Sequence, residues 1–224
     1  MIGVEFVIAL LSLLLGLLAP SPEPPGHLVA RVAPGATVAV RDRPRGRVVA
    51  RLPARTEFGS PQALAVLERE NGWLGVSTTA LPNDRVGWID PGSAALSYER
   101  TPIELRVDLS QRVLSALSGG QVLHRSTVAI GSSASPTPIG RFAITDKLRG
   151  ADFGSYYGCC IVAISGRQTK LPPGWQGGDL LAIHGGPSST IGGRLSAGCL
   201  HASEADLRWL MRRIPLGTPI TIHP

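Results

Sequence analysis

The chain has 224 residues, of which 43% are hydrophobic, with 27 glycines and 19 prolines. That length holds one ordinary core, or one core with a small partner, and the composition excludes disorder while favouring short strands and turns over long helices. The formal charge of +6 suits an acidic partner, but the arginines are scattered without interleaved aromatics; this argues against nucleic acid and leaves an anionic envelope polymer or a membrane surface.

Phe6 to Ala19 is an apolar run broken only by Ser12. Its length is that of a signal-peptide core, or of a short membrane anchor when Met1 to Val4 are included. A buried core helix would carry a polar face, and this run has none. Glu5 stands where basic residues usually precede such a run, and no small-x-small site precedes Pro20. Export is expected, to the periplasm, the cell wall or the outer face of the cytoplasmic membrane. Cleavage and anchoring both stay open, and an uncleaved segment would hold the chain to the membrane. Ser21 to Gly26 (SPEPPG) reads as an extended linker, so residues 1–26 are signal or anchor plus linker.

Residues 27–98 read as a small antiparallel β-barrel. Ala33-Pro34-Gly35 is a turn, and Thr37 to Arg41 alternates as a strand should. Arg47 to Leu52, parts of Thr56 to Leu67, Gly72 to Val76 and Val86 to Ile89 supply the other strands. From residue 99 to 224 a second domain is expected. Its strands are Ile103 to Leu109, Val113 to Leu117, Val122 to Ile130, Arg141 to Thr145, Cys160 to Ile164, Leu180 to His184 and Pro219 to Ile222. Ser203 to Arg213 is the one convincing helix, with Ser203 as its cap, Leu207, Leu210, Met211 and Ile214 on one face, and Pro215 as its stop. The span Asp146 to Gly178 is irregular and glycine-rich; its Tyr156, Tyr157 and Trp175 are candidates to line or cover a cleft.

Three cysteines are too few for a disulfide-stapled exported domain. Adjacent Cys159 and Cys160 read as two packed or idle thiols, since neighbours form a strained ring when bonded, with a structural or regulatory role as the alternative. Cys199 is left over, in Ser196-Ala197-Gly198-Cys199-Leu200-His201, 15 positions after His184 in Ile183-His184-Gly185-Gly186. The Gly- and Ser-rich loop between them can fold the cysteine back to face the histidine. An imidazole beside a thiol lowers its pKa and holds the proton ready for a leaving amine. Gly198 permits close backbone approach, and amides near Cys199 can bind an oxyanion. A backbone carbonyl near Gly185 or Ser196 can orient the imidazole without any carboxylate.

These residues carry a family resemblance. The stretch from about Ile103 to Pro224 resembles the L,D-transpeptidase (YkuD-type) catalytic domain: "VDLSQRVL", then Gly131 and the Thr137 to Gly140 turn "TPIG", then His184-Gly185, Ile191-Gly192 and Ser196 to Cys199, in family order. The resemblance implies a mainly β protein whose catalytic domain is β-sandwich-like, with one or two short helices and a cleft between two sheets. It implies that Cys199 attacks the third residue of a peptidoglycan stem tetrapeptide with His184 as base. D-Ala leaves, and an amine or water takes the acyl group. Gly185, Ser196, Gly198 and His201 are then expected to support the oxyanion or contact substrate, with no cofactor and no metal. Two positions depart from the family pattern, Ala197 where His or Arg is common and His201 where Arg or Asn is common. The pair "GWLGV" and "GWID" resembles the closing hairpin of bacterial Src-homology-type wall-binding barrels, and both wall-polymer binding and a purely structural domain stay open.

Two other functions fit these residue types. His184, Cys199 and His201 are zinc-ligand types, with Glu204 as a base, although the spacing matches no standard zinc motif. A non-catalytic wall-binding protein with a decayed site is the third class, which Ala197 keeps open and the intact His184 and Cys199 oppose.

Overall fold

The computed structural model describes residues 25–83 and 85–224; the apolar run at 6–19 lies outside them. No helix among the described residues is long and apolar enough to cross a membrane.

The first unit is one sheet of β1 (His27–Val32), β2 (Thr37–Arg41), β3 (Val48–Pro53), β4 (Ala63–Glu70), β5 (Trp73–Val76), β6 (Gly87–Ile89) and β7 (Leu96–Thr101). The order is β3-β2-β6-β5-β4-β1-β7, antiparallel throughout. No ladder joins β3 to β7 among the described residues. Strand alternation explains its core: on β2, Val38 and Val40 point inward to Ala30, Leu64 and Ile89. The two tryptophan segments pair directly, Gly75 opposite Trp88.

β7 runs into the second unit, built on β8 (Ile103–Asp108), β9 (Val113–Ser118), β10 (Gln121–Thr127), β12 (Gly140–Arg149), β13 (Cys160–Arg167), β14 (Leu180–His184), β16 (Leu200–His201) and β17 (Pro219–His223). Their order is β10-β9-β8-β17-β12-β13-β14-β16; a separate parallel pair joins β11 (Ile130–Gly131) to β15 (Arg194–Ser196). β12 changes partner midway. Gly140 to Ala143 pair with β17, Ile144 to Arg149 pair with β13, and the register slips between Ile144 and Asp146. A bulge of this kind bends a strand, so β12 belongs to two half-sheets. Leu105, Leu114, Phe142, Ile144, Ile164 and Ile183 fill the core between them.

α1 (Glu204–Arg213) covers this core with Leu207 and Leu210. The Ser203 Oγ accepts from the Asp206 N–H at 3.2 Å and caps its first turn. At the other end Lys147 Nζ donates to the carbonyls of Met211 and Ile214, both at 2.9 Å. Among the described residues the other helical segments are single 3-10 turns.

Three expectations change. The stretch Val122 to Ile130 is two strands, because Ala129 turns away to bridge His201 and Ile130 pairs with Arg194 instead. The Arg141 to Thr145 strand runs on to Arg149, through Asp146 and Lys147. Cys159 and Cys160 are not idle thiols; their sulfurs are bonded to each other.

The units meet through a polar seam. Ser77 Oγ and Ser165 Oγ lie 2.7 Å apart and buried. Asn83 acts as a strand edge for Arg167: its Nδ2 donates to the Arg167 carbonyl at 2.6 Å and its Oδ1 accepts the Arg167 N–H at 2.7 Å. Thr56 Oγ1 donates to Asp146, whose carboxylate is only 2% exposed.

Candidate active site

His184 ends β14 and Cys199 immediately precedes β16, and these two strands pair in parallel. The pairing sets Ile183 beside Leu200 and His184 beside His201. Thus the loop from Gly185 to Gly198 returns Cys199 to the strand that ends in His184. Both side chains line one cleft of about 410 Å³.

The His184 ring is 3% exposed, with Nδ1 2.6 Å from the Gly185 carbonyl oxygen. A carbonyl can only accept, so Nδ1 carries the proton and Nε2 keeps a free lone pair. The neutral tautomer is therefore fixed by the backbone, with no carboxylate. Tyr157 packs edge-on against this ring at a centroid distance of 4.9 Å, and its carbonyl accepts the Gly185 N–H at 2.9 Å. A Cβ on Gly185 would meet Gly158 Cα at 2.8 Å, so glycine is what lets the Tyr157–Gly158 backbone cross there.

Burial lowers the His184 pKa to about 4, helped by the neighbouring His201, while the Gly185 carbonyl opposes the shift. Burial also pushes the Cys199 thiol up, against the pull of the Ala182 N–H. Burial thus favours the neutral form of both groups, opposite to the lowering of the thiol expected from the imidazole's proximity. In this conformation Cys199 Sγ turns to the Leu180 carbonyl at 3.9 Å and not to His184.

Ser196 and Gly198 shape the turn into the cysteine. Ser196 Oγ donates to the Cys199 carbonyl at 2.6 Å and accepts the Gly198 N–H at 3.1 Å. Gly198 has φ +115°, a value that favours glycine. His201 is 1% exposed, its ring centroid 4.7 Å from that of His184, and among the described residues its Nδ1 has no hydrogen-bond partner. Burial lowers its pKa as well. Tyr156 stands edge-on over His201 at 5.8 Å. Tyr156, Tyr157 and Trp175 all line the cleft.

Among the described residues no three His, Cys, Asp or Glu side chains converge as a metal site, and His184, Cys199 and His201 form no such group. Two cleft residues had no signal in the sequence, Glu57 and Phe58 of the first unit. They sit on the turn that Thr56 ties to Asp146, and Phe58 meets Phe153 edge-to-face at 5.9 Å. Gln168 also lines the cleft and was likewise missed.

Residues 102–222 match the family model described as the YkuD L,D-transpeptidase catalytic domain. The Bacillus subtilis (strain 168) protein YkuD is 27% identical over 126 residues, covering 54% of this chain and 66% of its own length, slightly under two thirds. Among solved structures, an L,D-transpeptidase from Mycobacterium smegmatis is 18% identical with a TM-score of 0.45, covering 72% of this chain and 82% of that one. One from Mycobacterium tuberculosis H37Rv is 21% identical with a TM-score of 0.43, covering 64% and 74%.

Proposed function

The chain belongs to the L,D-transpeptidase catalytic-domain family, and on that premise we propose that it is a peptidoglycan L,D-transpeptidase working outside the cytoplasmic membrane. Cys199 is the nucleophile and His184 the base. The observation that carries this reading is the fixed tautomer: Nδ1–H is committed to the Gly185 carbonyl, and the free Nε2 shares a cleft with the Cys199 thiol.

The thiol proton passes to His184 Nε2 as Sγ attacks the carbonyl of the third stem residue. A thioester forms, the C–N bond to D-Ala breaks, and the imidazolium returns its proton to the departing amine. An acceptor amine then attacks the thioester, giving its proton to His184 and restoring the thiol. Water in place of the amine gives a carboxypeptidase. With a pKa of about 4 the imidazole is neutral before attack and gives up its proton readily afterwards, but it is a weak acceptor for a thiol whose own pKa is raised, so the proton moves together with the attack and not ahead of it.

The test uses purified enzyme with a defined disaccharide tetrapeptide, read by mass spectrometry. Loss of D-Ala, with a product mass that identifies amine or water as acceptor, is the expected result. The same loss from Cys199→Ala would overturn the assignment.

A further inference from the structure

Three consecutive carbonyls around the cysteine are each held by a side chain. The Ala197 carbonyl accepts from Gln168 Nε2 at 3.0 Å, the Gly198 carbonyl from Thr137 Oγ1 at 2.9 Å, and the Cys199 carbonyl from Ser196 Oγ at 2.6 Å. Among the described residues the Cys199 N–H has no hydrogen-bond partner. The two facts are linked by peptide geometry. In a planar trans peptide the N–H points away from the C=O of the same unit. Anchoring the Gly198 carbonyl on Thr137 therefore aims the Cys199 N–H in the opposite direction, free of the protein.

We propose that Thr137 and Gln168 are positioning residues that fix the turn at Gly198 so that the Cys199 N–H serves as an oxyanion donor. This rests on the cysteine acyl-transfer reading above and adds to it the residues that hold the donor in place.

Gln168 is suited to the task. It sits at the end of the β13 segment, 6% exposed, and its side chain is satisfied on several sides. Nε2 also donates to the Pro136 carbonyl at 3.0 Å, and Oε1 accepts the Lys170 N–H at 2.8 Å. One amide thus joins three cleft loops, those of Pro136, Lys170 and Ala197. A Cβ on Gly198 would lie 2.0 Å from Nε2, so Gln168 occupies the space that any other residue at 198 would need. The Thr137 hydroxyl is equally committed. It accepts the Gly131 N–H at 2.8 Å and spends its own proton on the Gly198 carbonyl. A buried polar group satisfied this fully specifies one arrangement of the chain around it.

A preformed donor helps only where negative charge develops on oxygen. This gives a test that a merely structural role would not meet. Two reactions of Cys199 are compared in the full chain: acylation by a carbapenem, which passes through an oxyanion, and alkylation by iodoacetamide, which does not. Thr137→Val keeps the shape and loses the hydroxyl; Gln168→Met keeps the length and loses the donor. Each should acylate about 10- to 100-fold more slowly, short of the roughly 100- to 1000-fold cost of losing an oxyanion donor outright, because the donor is loosened and not removed. Alkylation should stay within about twofold of the parent. Thr137→Ser, which keeps the hydroxyl, should recover most of the acylation rate and decides the matter should Thr137→Val fail to fold. Acylation at the parent rate in the folded variants overturns the proposal, and so does an equal fall in alkylation. Absence of any adduct in the unsubstituted chain would instead strike at the acyl-transfer reading itself.

Discussion

His201 lies beside His184 with ring centroids 4.7 Å apart and planes tilted by 44°. Both rings are buried, and the pKa of each is lowered. Protonating either ring therefore opposes folding.

The sign of the resulting pH dependence follows directly. His184 falls from 6.5 to about 4 on folding. Between these values the unfolded chain binds more protons than the folded one, so stability rises with pH across the window and is lost as pH falls through it. The loss for His184 is on the order of 3 kcal/mol, and His201 acts in the same direction. Thermal unfolding followed from pH 7 to pH 4 should show a steep fall in Tm. In His184→Gln the fall should be shallower, and an unchanged slope would refute this account.

The thiol behaves in the opposite sense to a resting ion pair. Burial raises the Cys199 pKa, so alkylation by iodoacetamide should increase with pH up to and beyond the ordinary thiol range of about 8.5. A rate plateau reached below neutrality would mean that a thiolate–imidazolium pair exists at rest.

How much of this was open to sequence reading depends on whether the information is local. That His184 and Cys199 share one cleft was legible because each sits in a short run whose glycines and serines describe its own backbone, and the two runs occur in family order. A backbone carbonyl near Gly185 or Ser196 was expected to orient the imidazole, and it is the Gly185 carbonyl that meets Nδ1. The extent of β12 was not. Asp146 and Lys147 look like the end of a buried strand, yet Thr56 satisfies the one and the α1 carbonyls the other. Glu57 and Phe58 reach the cleft through a contact between residues 90 positions apart, and no periodicity encodes such a contact. Gln168 joins three loops, so its role exists only once all three are folded.

The place of Phe58 leads to a prediction that the division into two sheets did not suggest. Its ring lines the cleft and packs on Phe153, so Phe58→Ala removes a piece of wall and leaves Cys199 and His184 untouched. KM for a soluble stem peptide should rise several-fold with kcat nearly constant, the signature of lost uniform binding. A chain beginning at Glu99 should lose more, because Asp146 and Ser165 then forfeit Thr56 and Ser77 as partners. Its Tm should drop relative to the full chain, and full Tm and full kcat/KM together would show that the first unit is independent of the cleft.

Separating the two histidines calls for a pair of substitutions. His184→Ala removes the base of the proposed cycle. Some thiolate forms without it, so slow acylation persists while turnover falls by roughly three to four orders of magnitude, the scale for losing a member of a catalytic triad. His201→Asn should act differently. It removes the charge-bearing neighbour that helps hold the His184 pKa down and leaves the Nδ1–H bond to Gly185 in place. Turnover at neutral pH should survive. The acid limb of kcat/KM, which reports protonation of the free enzyme's base, should move to higher pH because His184 then protonates more readily. The direction is the decisive readout. A limb that stays in place would mean that His201 does not bias His184, and a collapse of turnover equal to that of His184→Ala would make His201 the base in its stead.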